Sequence, residues 1–282
     1  MNPVGVGVFL VPAIAVGVAV VWAMVAPVSR SRLERFARRQ QLQITPDNGD
    51  LVIRYLAITR RWRAGGILVA FGLGIVWLST RIDFSGEINL LQLFAGWFAG
   101  AVLAEARLAR TPAGPVRLAA LQPRDPSMYL PRYAQWLVPA ALAVSVALGL
   151  VTVTLAAAGR SPDVRTAAVA QVAAVAVAGM VLAVGRHVLS RPQPVLPPDQ
   201  LAADDAIRSR ALHVLAGSGT ALVLYAVISQ LSALADGLSG QVVDVIGGTV
   251  FVLVFAAPLL GWFVATQPWS VRRDAQQPAH LG

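Results

Sequence analysis

The residues with the best claim to chemistry are two arginines that close a repeated stretch. Ala99-Gly100-Ala101-Val102-Leu103-Ala104-Glu105-Ala106-Arg107 recurs 79 residues later as Ala178-Gly179-Met180-Val181-Leu182-Ala183-Val184-Gly185-Arg186, with six of nine positions identical. Gly100, Ala104 and Arg107 are spaced to share one helix face, as are Gly179, Ala183 and Arg186. A guanidinium at the mouth of a helix bundle can hold a phosphate or a lipid headgroup, which makes Arg107 and Arg186 the anion or headgroup candidates. The same spacing also describes a packing seam. Small residues let helices approach closely, and Gly96 with Gly100 forms a GxxxG. Arginines that snorkel to an interface are routine. Gly96, Gly100, Ala104, Gly179 and Ala183 are therefore read first as helix-packing positions.

Other constellations carry less. His187 and His213 fall at the ends of two successive apolar runs and could face each other as metal or haem ligands, but no carboxylate sits at ligand spacing from either. Asp199, Asp204 and Asp205 form the acidic cluster, and Arg208 and Arg210 follow at helical spacing, as on a solvated helix face. Ionisable residues inside the apolar runs would mark a proton or ion path. They are nearly absent: Glu105 lies near a run end, within reach of Arg107 or Arg110, and Asp244 lies near another. Gln92, Gln171 and Gln230 are placed to bridge helices. No Ser-His-Asp, HExxH or paired-carboxylate pattern occurs, so no catalytic residue, metal site or cofactor is expected.

Composition narrows the chemistry further. There is no Cys and, since every basic residue is Arg, no Lys. That removes disulfides, thiolate nucleophiles and thiolate metal sites, together with Schiff bases and a P-loop lysine. Only 13% of the 282 residues are charged against 56% hydrophobic, with a mean hydropathy of +0.65. A soluble chain carries about a quarter charged residues. The net charge of +9 would suggest nucleic acid in a soluble protein, but the arginines gather in alternate loops rather than in a groove, and no nucleic-acid partner is expected. Arg-only basic usage with abundant Ala and Val matches a GC-rich bacterial coding bias.

These residues are carried by apolar runs near the roughly 20 residues that cross a bilayer. Seven spans are expected, at residues 4–28, 64–80, 88–106, 136–158, 166–185, 211–235 and 242–266. Pro12 and Pro258 are tolerated kinks. Met1-Asn2-Pro3 lacks the positive region of a cleavable signal, so the first run reads as an anchor. Between the first two spans, residues 30–41 suit an amphipathic turn with Leu33 and Phe36 on one side. Thr45-Pro46-Asp47-Asn48-Gly49-Asp50 is a turn cluster, from which Asp50 could start a helix over 51–63. Asp199 is placed to start a helix running into the sixth span. Trp22, Trp77, Trp136, Trp262, Trp269, Tyr129 and Tyr133 lie mostly near span ends, as interface anchors do.

Sorting the arginines by side gives the orientation. Twenty of the 23 lie in the three long polar segments and the tail, and three (Arg81, Arg160, Arg165) lie in the opposite loops. By the positive-inside rule the N-terminus is outside and the C-terminus cytoplasmic. The expected fold is thus an all-α integral membrane protein, a seven-helix transmembrane bundle forming one domain in the plasma (inner) membrane. The shared stretch, together with Pro115/Pro194, Val116/Val195 and Asp125/Asp204 at the same offset, suggests a tandem helical-hairpin repeat.

Function is less constrained. The favoured reading is a non-catalytic membrane component whose Arg-rich cytoplasmic loops contact a protein partner or anionic lipid. A permease-like subunit of a transport system, with Gly100, Gly179 or Pro258 on cavity-lining helices, is the alternative. A lipid-phosphate enzyme using Arg107 and Arg186 is the third, although it lacks a base and a metal site.

Overall fold

In a computed structural model, which describes residues 17–18, 20–79, 90–110, 117–118, 125–191, 193–194 and 197–268, the apolar runs are helices. Most extend past their apolar limits on the arginine-rich side, because a helix leaving hydrocarbon can keep its backbone bonds while water solvates its side chains. The order is α1 (described at 17–18 and 20–25), α2 Arg30–Gln40, α3 Pro46–Ser79, α4 Leu90–Ala109, a 3-10 turn Pro126–Met128, α5 Arg132–Ala157, α6 Val164–Ser190, α7 Pro198–Ala235 and α8 Gln241–Thr266. Two-residue strands β1 (Arg117–Leu118) and β2 (Gln193–Pro194) pair antiparallel, with Arg117 opposite Pro194.

Local chemistry accounts for the boundaries. The first helix ends at residue 25, short of the expected 28, and Pro27 disfavours helical backbone at Ala26. The expected start at Asp50 is also displaced. Helix α3 begins at Pro46 and runs unbroken to Ser79, so the membrane-approaching helix and the short second span are one element. The Asn48 side chain accepts from the Thr45 amide at 3.0 Å, a variant of the capping box, and Pro46 occupies the first helical position. Helix α7 is likewise continuous from Pro198, with Asp199 in its first turn. Asp163 starts α6 by accepting from the Thr166 amide at 3.0 Å. Residues 1–16, the loop 81–87, Pro115, Val116, Val195 and Arg272–Arg273 lie outside the described residues.

Helices α5, α6, α7 and α8 are each long and apolar enough to cross a membrane. Their positions differ. Helix α7 is almost wholly enclosed, packed by α3, α4, α5, α6 and α8 and, near its start, by α2. The outer helices turn large apolar residues away from the protein: Leu150 and Val153 on α5, Val169 and Val172 on α6, Phe251, Phe255 and Leu259 on α8. Water rarely tolerates so broad an apolar belt, whereas lipid does.

Enclosure depends on small residues. A Cβ on Gly66 of α3 would strike the Gly96 carbonyl and lie 3.0 Å from the Gly100 Cα, so α3 and α4 touch backbone to backbone. On Gly217 of α7 a Cβ would strike the Gly261 carbonyl and lie 2.7 Å from the Ala265 nitrogen of α8. Glutamines add polar bridges. Gln92 donates to the Ala70 carbonyl at 2.8 Å, and Gln230 of α7 donates to Gln171 of α6 at 2.9 Å.

The repeated stretch splits between two environments. Gly96 and Gly100 lie in the α3–α4 contact and Ala104, one turn on, is fully buried, whereas Gly179 and Ala183 face outward from α6. Helix α4 packs chiefly on α3 and α7, not on α5, while α6 packs directly on α7, so the two expected hairpins close differently. Their polar segments meet in the β1–β2 pairing.

The acidic cluster is a solvated face only in part: Asp199 is exposed and Asp205 half-buried, but Asp204 is withdrawn from solvent. Asp204 and Arg208 are both buried and paired at 2.8 Å. Arg191 adds a second ion pair to Asp204, and Arg208 also donates to the Val188 and Arg191 carbonyls at 3.1 and 2.9 Å. This ties the start of α7 to the end of α6.

The packing asymmetry has a measurable consequence. Gly100→Val should destabilise the detergent-solubilised protein by about 3 kcal/mol through overpacking, while Gly179→Val should be near neutral. Equal melting temperatures for the two variants would refute the asymmetry.

Candidate anion-binding site

Helical spacing sets three arginines of α2 on one side. Arg32, Arg35 and Arg39 fall at i, i+3 and i+7, and Phe36 beside them anchors the helix against Tyr55, with ring centroids 6.1 Å apart. On α3, Leu56, Arg60, Arg63 and Ile67 recur at i, i+4, i+7 and i+11, so two further arginines share a stripe with apolar neighbours. Arg210 comes from α7, and Trp262, Ala265 and Thr266 from the last turns of α8. These faces, with Val20 and Ala23 of α1 and Trp97 of α4, enclose a cavity of about 500 Å³.

Six arginines line it (Arg32, Arg35, Arg39, Arg60, Arg63, Arg210), and among the described residues no Asp or Glu does. Within those same residues none of the six is ion-paired. Two serve partly as helix caps. Arg60 donates to the Pro27 carbonyl at 3.1 Å and to that of Ala26, and Arg210 donates to the Ala265 carbonyl. Cations suit these chain ends, where orphaned carbonyls concentrate partial negative charge. Arg63 lies over the Trp97 ring, 5.0 Å from its centroid.

Those contacts leave donors over. The Nε atoms of Arg60 and Arg63 are buried without hydrogen-bond partners, and so are both polar atoms of the Gln40 amide, whose residue is 0% exposed. The local field is strongly positive. Burial and then the charges of Arg210 and Arg35 hold Arg39 below the ordinary arginine value, and burial with Arg32 and Arg61 does the same to Arg60. A helix dipole end offers about half a charge, too little to balance six guanidiniums.

Behind the cavity, Glu105 is buried and accepts from the Tyr55 hydroxyl at 2.9 Å. It therefore pairs with neither Arg107 nor Arg110, the partners expected from spacing. Arg63 and Arg210 are within electrostatic reach of this carboxylate but outside ion-pair distance.

The chain matches no known protein family, no curated protein and no solved structure. The chemistry of this cavity therefore carries the functional reading.

The sequence-derived candidates lie elsewhere. Arg107 is exposed, 5.8 Å from the Trp62 ring, and Arg186 is exposed at the end of α6; neither lines the cavity. Their helices are neighbours there, since His187 bonds the Ala109 carbonyl at 3.0 Å. His213 is buried and bonds its own helix at the Ser209 carbonyl, 2.8 Å away, so the two histidines take separate partners. Among the described residues no group of three His, Asp or Glu side chains could hold a metal ion. Spacing along the chain does not reveal the arginine convergence, because its members come from distant segments. Its visible trace is the one-sided placement of Arg32, Arg35 and Arg39.

Tyr55→Phe should destabilise the protein by about 1–3 kcal/mol, since it strands a buried carboxylate. In a double-mutant cycle with Glu105→Leu the penalties should not add; full additivity would mean the two groups do not interact.

Proposed function

We propose that this is a non-catalytic component of a bacterial plasma (inner) membrane whose arginine-rich cytoplasmic face engages an anionic partner, lipid or protein. The chain crosses the bilayer seven times, N-terminus outside and C-terminus inside. The observation that carries this reading is the cavity itself: six arginines converging on a space that, among the described residues, no Asp or Glu lines. It lies among the helix ends that the positive-inside count assigns to the cytoplasm, and clustered arginines at that level attract anionic headgroups. Four helices supply spans by length and apolarity. Residues 4–28, 64–80 and 88–106 supply the other three; α3 and α4 run as helices through the described parts of the last two. Arginine offers charge and hydrogen bonds but stays protonated, which suits it to binding rather than to proton transfer.

A reporter active only outside the cytoplasm should work when fused after Asp236 and fail when fused after Arg273. The reverse pattern would overturn the orientation. Gentle purification followed by mass spectrometry should recover an enriched anionic lipid or an acidic protein. Recovery of the chain with neither would count against an anion-engaging role.

A further inference from the structure

We propose that the arginine cavity is a binding site for the phosphate of an anionic phospholipid, whose acyl chain leaves along the wall formed by Val20, Ala23, Ile67 and Trp262. This rests on reading the chain as a membrane protein with these residues at one face.

Three features select that ligand. The first is charge. Capping of helix ends accounts for Arg60 and Arg210, but not for Arg32, Arg35, Arg39 and Arg63, which line the same space with no acidic residue described among them. The second is donor geometry. Guanidinium forks match phosphate oxygens two at a time, and the Arg60 and Arg63 Nε atoms are buried donors without partners. Gln40 supplies a third donor group, an amide fully withdrawn from solvent and unbonded at both ends. An unsatisfied buried amide is costly, and a phosphate oxygen would accept from its Nε2.

The third feature separates a lipid from a free anion. The cavity is amphipathic: Val20, Ala23, Leu56, Ile67, Trp97 and Trp262 face the same space as the arginines. An inorganic phosphate gains nothing from apolar walls, while an acyl chain gains in proportion to the area it covers. The volume, about 500 Å³, is that of a site for a sizeable ligand. Trp262 both lines the cavity and is half exposed, so the apolar wall reaches the protein surface.

The test is native mass spectrometry of the full-length protein released from nanodiscs of phosphatidylcholine doped with phosphatidylglycerol. The wild type should retain phosphatidylglycerol in preference to phosphatidylcholine. Arg63→Gln and Arg39→Gln should each lower that retention about tenfold, the loss expected for one charge-assisted contact. Arg63→Lys, which keeps the charge but not the fork, should fall in between. Arg107→Gln and Arg186→Gln, outside the cavity, should behave as wild type. Arg35→Gln, altered at the exposed rim, keeps the test open if an Arg63 variant fails to fold. Equal retention across all variants would overturn the site, and so would equal retention of the two lipids. Saturation by inorganic phosphate with no lipid retained would overturn it in favour of a free anion. Reversed reporter fusions with retention intact would sink only the orientation; lost retention with normal fusions would sink only this site.

Discussion

Everything in this structure depends on a helix that has protein on every side. Helix α7 is enclosed by six neighbours, and a helix can be so enclosed only where its own surface is thin. Gly217, Ser218 and Gly219 provide that thinness at one level. Gly217 lies against the Gly261 backbone, and a Cβ on Gly219 would come within 2.8 Å of Val181 and 3.2 Å of Val138. Where lipid surrounds a bundle there is little hydrophobic gain from helix association, so close van der Waals contact and interhelical hydrogen bonds must hold it. The α3–α4 glycine contact and the Gln171–Gln230 bond are of those two kinds.

Enclosure has a cost at the polar end of the same helix. The first turns of α7 carry Asp204, Arg208 and Arg210 into the interior of the assembly, where an isolated charge is expensive. The two arginines are two residues apart and so point to opposite sides. One side is answered: Arg208 meets Asp204 and two carbonyls. The other is answered only in part. Arg210 meets one carbonyl at the end of α8 and five more arginines across a cavity, with Glu105 behind it in electrostatic reach but outside ion-pair distance. A fold under selection for stability alone could pair it directly with a carboxylate, as it does Arg208. Leaving the arginines to face one another is what turns a packing problem into a binding site.

Much of the architecture is legible in the sequence because lipid imposes length. The spans at 136–158, 166–185, 211–235 and 242–266 correspond to α5–α8 within a few residues at their apolar ends. What periodicity cannot show is which helix is central. Ala and Val saturate every run, so no face of α7 stands out, and only the small-residue cluster Gly217-Ser218-Gly219 hints at enclosure. Asp204 and Arg208 illustrate the same blindness. Their i, i+4 spacing fits a solvated pair and a buried one equally, and burial is decided by Arg191 and Val188, at the far end of the preceding hairpin arm.

The repeated stretch shows how identical residues acquire different roles. Gly100 and Gly179 stand in the same local sequence, yet a side chain on one would strike the α3 backbone and on the other would meet nothing within 4 Å. Arg107 and Arg186 diverge from the cavity in the same way, both left at the surface while Arg63 and Arg210, which no motif links, face one space. A guanidinium binds tightly when its donors are withdrawn from water and converge with others, and convergence is a property of tertiary packing. The arginines with the best claim to an anion are therefore the ones that the enclosed helix and the α3–α4 contact bring inward, not the ones that recur along the chain.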